Sequence, residues 1–269
     1  MLKRYPEEVD GLVVARDGAV LRLRIDRPDR RNSLTDDIVL VMTDAIEAAG
    51  SDEDIRVIAL SATGEHFCSG FDLGTRGGDD KPRAGATQRQ MRWHVNRLIP
   101  TMLETQTPIV TAATGWVVGL GLHLVLASDF AVVADDARLW APFTKLGFTP
   151  DSGGSWMLPR LVGVARAKEL LMLGREVSGA SAAAWGMVHR AVPAAEVDAA
   201  AAALVDELAG AATVAVGLTK LLVERGLEVG LERHLADEAL AMELSSRSED
   251  FHENARARRE KRTPQFRGR

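Results

Sequence analysis

Three glycine-marked segments stand where strand-like runs stop, and each offers a group with chemical use. In Lys145-Leu146-Gly147-Phe148-Thr149-Pro150-Asp151-Ser152-Gly153-Gly154, a proline and two glycines bracket a single carboxylate, Asp151, just ahead of a helical pattern. Such a carboxylate caps the helix or serves as a general base, and the spacing alone leaves both open. Gly115-Trp116-Val117-Val118-Gly119-Leu120-Gly121 follows a strand and opens a helix, so free backbone N–H groups point at whatever lies before it. Its glycine spacing does not match the dinucleotide fingerprint. In His66-Phe67-Cys68-Ser69-Gly70-Phe71-Asp72-Leu73 the plain reading is a turn in which Gly70 supplies an unusual φ. His123 lies on an apolar helix, as a core or interface histidine or as a proton carrier. His66 and His94 fit a loop and a helix surface, and no two histidines have zinc-site spacing, so no metal is expected.

The elements that must position these groups follow from periodicity. Gly11 to Arg16 and Ala19 to Asp26 are β-rich runs separated by Asp17-Gly18, and the second alternates Leu21, Leu23, Ile25 with Arg22, Arg24, Asp26, which predicts a hairpin. Thr35 caps a helix over Asp36 to Ala49, which leads into a buried strand at Ile55 to Ser61, a β-α-β crossover. After the Gly-, Asp- and Lys-rich loop Gly74 to Gly85 come a helix to Glu104, a strand at Pro108 to Ala113, a glycine-broken turn, a helix over Leu120 to Ala127 and a strand at Phe130 to Ala134. From Gly153 onward only helical patterns are expected apart from a strand at Val188 to Val192, with helices at Ala194 to Leu208 and from Val214 to about Arg262.

With 269 residues, 46% of them hydrophobic, the chain can bury a full core. A net charge of -5 gives no overall basic surface to hold a nucleic-acid backbone, so nucleic acid is not an expected partner. The one cysteine, Cys68, excludes an internal disulfide and a thiolate metal cluster. The opening MLKRYPEEVDG turns acidic before any apolar run, and the longest apolar stretch, Trp116 to Ala127, is broken by Gly119, Gly121 and His123 and is too short for a bilayer. A cytoplasmic protein without a membrane partner is expected.

Together with Arg27-Pro28, Asn32-Ser33-Leu34, Ser128-Asp129, Pro159-Arg160-Leu161-Val162-Gly163 and Trp185-Gly186-Met187-Val188, the three segments resemble the enoyl-CoA hydratase/isomerase (crotonase) family in order and spacing, from about Gly11 to Phe266. The resemblance implies an α/β fold: a ClpP-like spiral of β-β-α turns over residues 1–195, then a helical oligomerisation region over 196–269 that builds a homotrimer or hexamer. It implies an acyl-CoA thioester as substrate and no separate cofactor, since CoA arrives as part of the substrate.

The same resemblance assigns residues. Two main-chain N–H groups, of Phe71 and Leu120, would form an oxyanion hole around the thioester carbonyl. Phe67, Ser69, Gly70, Asp72 and Leu73 would line the adenine pocket, Gly119 and Phe143 the substrate site, and Arg31 and Lys261 would approach the CoA nucleotide, with Trp140 or Phe143 as candidate walls of the acyl pocket. The two glutamates that hydratases use fall at His123 and Phe143, which puts water addition in doubt. Asp151 stands where certain isomerases of the family, including enoyl-CoA isomerases and the ring-epoxide isomerase of phenylacetate catabolism, carry their acid. A family dehalogenase also places an aspartate there, but its partner histidine falls at Asn96. The leading expectation is an isomerase with Asp151 as base. A hydratase using His123, and a scaffold that only carries acyl-CoA, are the rivals.

Overall fold

The hairpin forms where the alternation predicts it. β1 (Leu12–Asp17) pairs antiparallel with β2 (Val20–Ile25), which buries Leu21, Leu23 and Ile25 and turns Arg22 and Arg24 to solvent. The computed structural model describes residues 5, 9–72, 74, 83, 85–93 and 95–269, with the main chain alone at 87 and 90. Leu73, His94 and most of the Gly74 to Gly85 loop lie outside the described residues.

α1 (Asp36–Gly50) starts where the Thr35 hydroxyl accepts the Ile38 N–H at 3.3 Å, and it buries Ile38, Met42, Ala45 and Ile46 before the chain enters β3 (Val57–Ala62), parallel to β2. α2 (Ala86–Trp93) and α3 (Val95–Glu104) lead to β4 (Ile109–Ala113), parallel to β3. β5 (Trp116–Val118) then leaves this sheet, α4 (Leu120–Leu126) turns the chain back, and β6 (Phe130–Ala134) joins β4. β7 (Arg138–Trp140) pairs with β5. α5 (Gly154–Leu173), broken at Gly163, leads to β8 (Glu176–Ser178) beside β7, α6 (Gly179–Ala184), and β9 (Arg190–Val192) beside β6.

The large sheet runs β1-β2-β3-β4-β6-β9 and the small one β5-β7-β8. The passes β4-β5-α4 and β6-β7-α5 each lay a strand in the large sheet, a strand in the small one and then a helix, the β-β-α spiral that the resemblance implies. α7 (Val197–Ala209) packs on β3, β4 and β6, and α8 (Thr213–Gly226), α9 (Leu231–Ser245) and α10 (Glu249–Glu260) follow. Buried Lys220 ties α8 to the rest: its Nζ donates to the Asp129 carboxylate and to the Met102 carbonyl, each at 2.8 Å, while Asp129 also accepts the Ile109 N–H at 2.7 Å.

Three expectations need correction. Gly115 to Gly119 is not only a turn, because it contains β5; the region after Gly153 contains a second strand, β8; and the helical stretch to Arg262 is three helices. Three-residue strands are too short to show alternation, and the break before α10 is made by Ser248, whose hydroxyl caps the Phe251 N–H at 3.1 Å. Among the described residues no single helix is long and apolar enough to cross a membrane.

Candidate active site

The first two glycine segments lie side by side because the main chain pairs them. The Cys68 N–H donates to the Trp116 carbonyl at 3.0 Å and the Val118 N–H to the Cys68 carbonyl at 2.9 Å, so residues 67–69 run parallel to β5. A second bridge follows three residues later, between Phe71 and Leu34: the Leu34 N–H donates to the Gly70 carbonyl at 2.9 Å and the Asp72 N–H to the Leu34 carbonyl at 2.8 Å. A residue between two such bonds turns its own N–H to the opposite side of the strand, so that of Phe71 faces away from Leu34.

The crossing is tight. A Cβ on Gly70 would lie 3.1 Å from the Val118 carbonyl oxygen, and one on Gly119 would lie 3.8 Å from the Gly70 Cα. Gly119 (φ 56, ψ −119) gives the chain the turn into α4. The first intrahelical bond there runs from the His123 N–H to the Gly119 carbonyl at 3.1 Å, which leaves the Leu120 N–H without an acceptor inside the helix. α4 sits directly on Cys68: a Cβ on Gly121 would meet the Cys68 Cβ at 2.6 Å. Burial pushes the Cys68 thiol up to about 12, against a smaller downward pull from its hydrogen bond with Gly70, so it is a packing group and not a nucleophile at neutral pH.

Asn32 holds the outer side of this arrangement. Fully buried, it accepts the Arg27 N–H at 2.8 Å and donates to the carbonyls of Thr63 at 2.7 Å and His66 at 2.6 Å, using its amide to join three loop segments. Arg27 donates to the Ser33 carbonyl at 2.6 Å and to Asp72 at 3.3 Å.

Phe71, Leu120 and Asp151 meet in the wall of one cavity of about 90 Å³, together with Ser69, Gly70, Gly119 and Phe143. Asp151 is half-buried in a turn where Ser152 (φ 48) and Gly153 (φ 86) both take left-handed conformations. The cap of α5 is Gly153, and the Gly154 N–H donates to the Asp151 main-chain carbonyl at 3.1 Å, so the cap position expected for the Asp151 side chain is filled by a glycine.

The other expected site residues lie elsewhere. His123 is fully buried and outside the cavity wall, stacked on Phe143 with ring centroids 5.5 Å apart, and neither ring nitrogen has a hydrogen-bond partner among the described residues. Burial pushes its pKa down to about 4, so it is neutral at physiological pH. Phe67 is a core side chain, and Asp72 faces Arg27 and Ser33. Arg31 is exposed, with its carbonyl accepting the Ser69 N–H at 3.0 Å. Lys261 ends α10, whose Asp250 holds the chain's last residues; these meet Arg56, just before β3, whereas the cavity forms beyond the other end of that strand. Trp140 donates to the Gly174 carbonyl at 2.9 Å and is not in the cavity wall.

Sequence reasoning missed Met91, Val95, Pro142, Leu146, Phe148 and Ser152, which with Val118 complete the wall. For Leu146 and Phe148 a signal existed, since two large apolar residues in a loop segment are unusual; for Met91 and Val95 the helical stripe is indistinguishable from ordinary core packing. Among the described residues no group of three or more metal-ligating side chains is gathered.

Comparison with known proteins adds to this geometry. The model of the family described as "Enoyl-CoA hydratase/isomerase" matches residues 15–269. The chain is 32% identical to the 1,2-epoxyphenylacetyl-CoA isomerase of Escherichia coli, over 93% of this chain and 95% of that protein. It is 35% identical to the mitochondrial enoyl-CoA hydratase domain-containing protein 2 of Bos taurus, over 93% of this chain and 84% of that one. A crystal structure of an enoyl-CoA hydratase from Bacillus anthracis superposes with a TM-score of 0.89 at 30% identity, covering 96% of this chain and 100% of the other.

Proposed function

The chain belongs to the enoyl-CoA hydratase/isomerase family, and from that premise we propose that this crotonase-fold acyl-CoA enzyme is an isomerase that moves a proton between carbons of its thioester. The thioester oxygen lies between the N–H groups of Phe71 and Leu120. As a proton leaves carbon, charge moves to that oxygen, and donors fixed in advance in a dry site stabilise it by several kcal/mol. Asp151 takes the proton from one carbon and returns it two carbons away. A 1,3-shift needs one base, since the group that accepts a proton from one carbon also returns one, exchangeable with solvent, to the other, and no redox partner or metal enters the balance.

The observation that carries this reading is the cavity wall: among its described residues Asp151 is the one carboxylate. Adding water calls for two groups, one to activate water and one to protonate carbon; Phe143 and the buried, neutral His123 stand where the resemblance puts that pair. The name of the Escherichia coli relative supports isomerisation, while relatives of similar identity carry hydratase names.

We also propose a homotrimer or hexamer built through the last helices, where Val223, Leu227, Leu231, Leu235, Leu240 and Phe251 are exposed apolar side chains. Arg31 and Ser69 on the outer side of the cavity are proposed to meet the CoA portion. Mass spectrometry of purified protein in heavy water, against enoyl-, arylacetyl- and ring-epoxide CoA thioesters, tests the activity. Isomerised product is expected from the wild type, with Asp151→Asn slower by roughly a hundredfold or more at an acyl-CoA affinity within a few fold. Hydrated product, lost in His123→Ala and kept in Asp151→Asn, would refute the isomerase reading. Absence of turnover across the panel would leave an acyl-CoA carrier.

A further inference from the structure

Ser152 is 7% exposed, its Oγ has no hydrogen-bond partner among the described residues, and its main chain is held at φ 48, where a non-glycine residue is uncommon. Buried hydroxyls are as a rule paired, and serine in a turn ordinarily bonds a nearby main-chain group. This one does neither, beside the residue proposed as base.

Its place is equally specific. Ser152 belongs to the wall of the catalytic cavity and also to the wall of a second cavity, of about 810 Å³, between α3, the start of α5, and α8. The second cavity has an apolar inner surface made by Ile99, Pro100, Leu103, Trp156, Met157 and Leu221. Its polar wall carries Glu104, Glu224 and Glu228 with one arginine, Arg225, a balance that disfavours an acyl group ending in a carboxylate.

We propose that the acyl group runs from the oxyanion hole past Ser152 into this second cavity, and that the Ser152 hydroxyl donates a hydrogen bond to an oxygen carried by the acyl chain. The proposal rests on the acyl-CoA reading of the catalytic cavity and narrows it to large, uncharged, oxygenated acyl groups. A serine hydroxyl reaches either cavity by rotation about a single torsion, and a substrate oxygen there satisfies a donor that the described residues leave unpaired.

The test is calorimetry with hexanoyl-CoA and its 3-oxa, 4-oxa and 5-oxa analogues, in which an ether oxygen replaces one methylene at a time. The wild type is expected to bind one oxa isomer roughly tenfold more tightly than the others, the gain of a single buried hydrogen bond. In Ser152→Ala the ratio between that isomer and hexanoyl-CoA should collapse by the same factor. Ser152→Gly suits a positive φ and serves as the second variant should the alanine disturb the turn. Oxa isomers that bind alike, or a preference that survives in both variants, would overturn the role of Ser152 while leaving the acyl-CoA reading intact. No binding of any of the four thioesters to the wild type would overturn both.

Discussion

His123 makes a prediction whose size can be worked out. In the folded chain burial holds its pKa down at about 4, against an ordinary value of 6.5, with no hydrogen bond from the described residues to either ring nitrogen. Between those values the unfolded chain binds a proton that the folded chain refuses, so stability falls as pH falls. The penalty is absent well above pH 6.5, grows through the interval and is complete below about pH 4. From pH 7.5 to pH 5 it accumulates over about one and a half pH units at about 1.4 kcal/mol each, or about 2 kcal/mol. His123→Leu keeps an apolar side chain of similar size against Phe143 and removes the titrating group. Urea unfolding at both pH values, with midpoints compared at constant m, should show the wild type losing about 2 kcal/mol more than the variant. Equal losses would refute the reasoning and mean that the imidazole is protonated in place or reached by water.

Other substitutions probe the frame around the site. Gly121→Ala puts a Cβ 2.6 Å from that of Cys68 and should cost about 1–3 kcal/mol of stability by overpacking. Because the same helix carries the Leu120 N–H, turnover of any active thioester should fall further than thermal stability implies, as comparison of kcat with Tm will show. Lys220→Met strands the Asp129 carboxylate and should destabilise by about 3–5 kcal/mol in denaturant titration; a loss below about 1 kcal/mol would mean the pair is solvated. Sedimentation at micromolar concentration should give a trimer or hexamer, and a monomer would leave the apolar faces of α8 to α10 without the proposed role.

Local pattern was enough for much of the fold. The alternation of Leu21, Leu23 and Ile25, the Thr35 cap and the apolar period of α1 are each set by neighbours a few residues away, so the hairpin and the first crossover were legible directly. The glycine segments supply residues that line one cavity, and the resemblance they carry brought Asp151, Phe71 and Leu120 into one proposed site before any geometry was known. β5 and β8 were not legible, because three residues carry no period and owe their extended form to partners far along the chain.

What tertiary structure alone decided is the state of each side chain. Asp151 and His123 are both polar residues two positions from a glycine in the sequence, yet one reaches a cavity and the other is sealed beneath Phe143, close against Gly154. Ser152 looks like any turn serine until burial leaves its hydroxyl without a partner among the described residues, between two cavities. Residue type and spacing depend on the chain alone and so survive in the sequence; desolvation, cavity walls and unpaired donors depend on atoms contributed by distant segments, and exist only once those segments pack together.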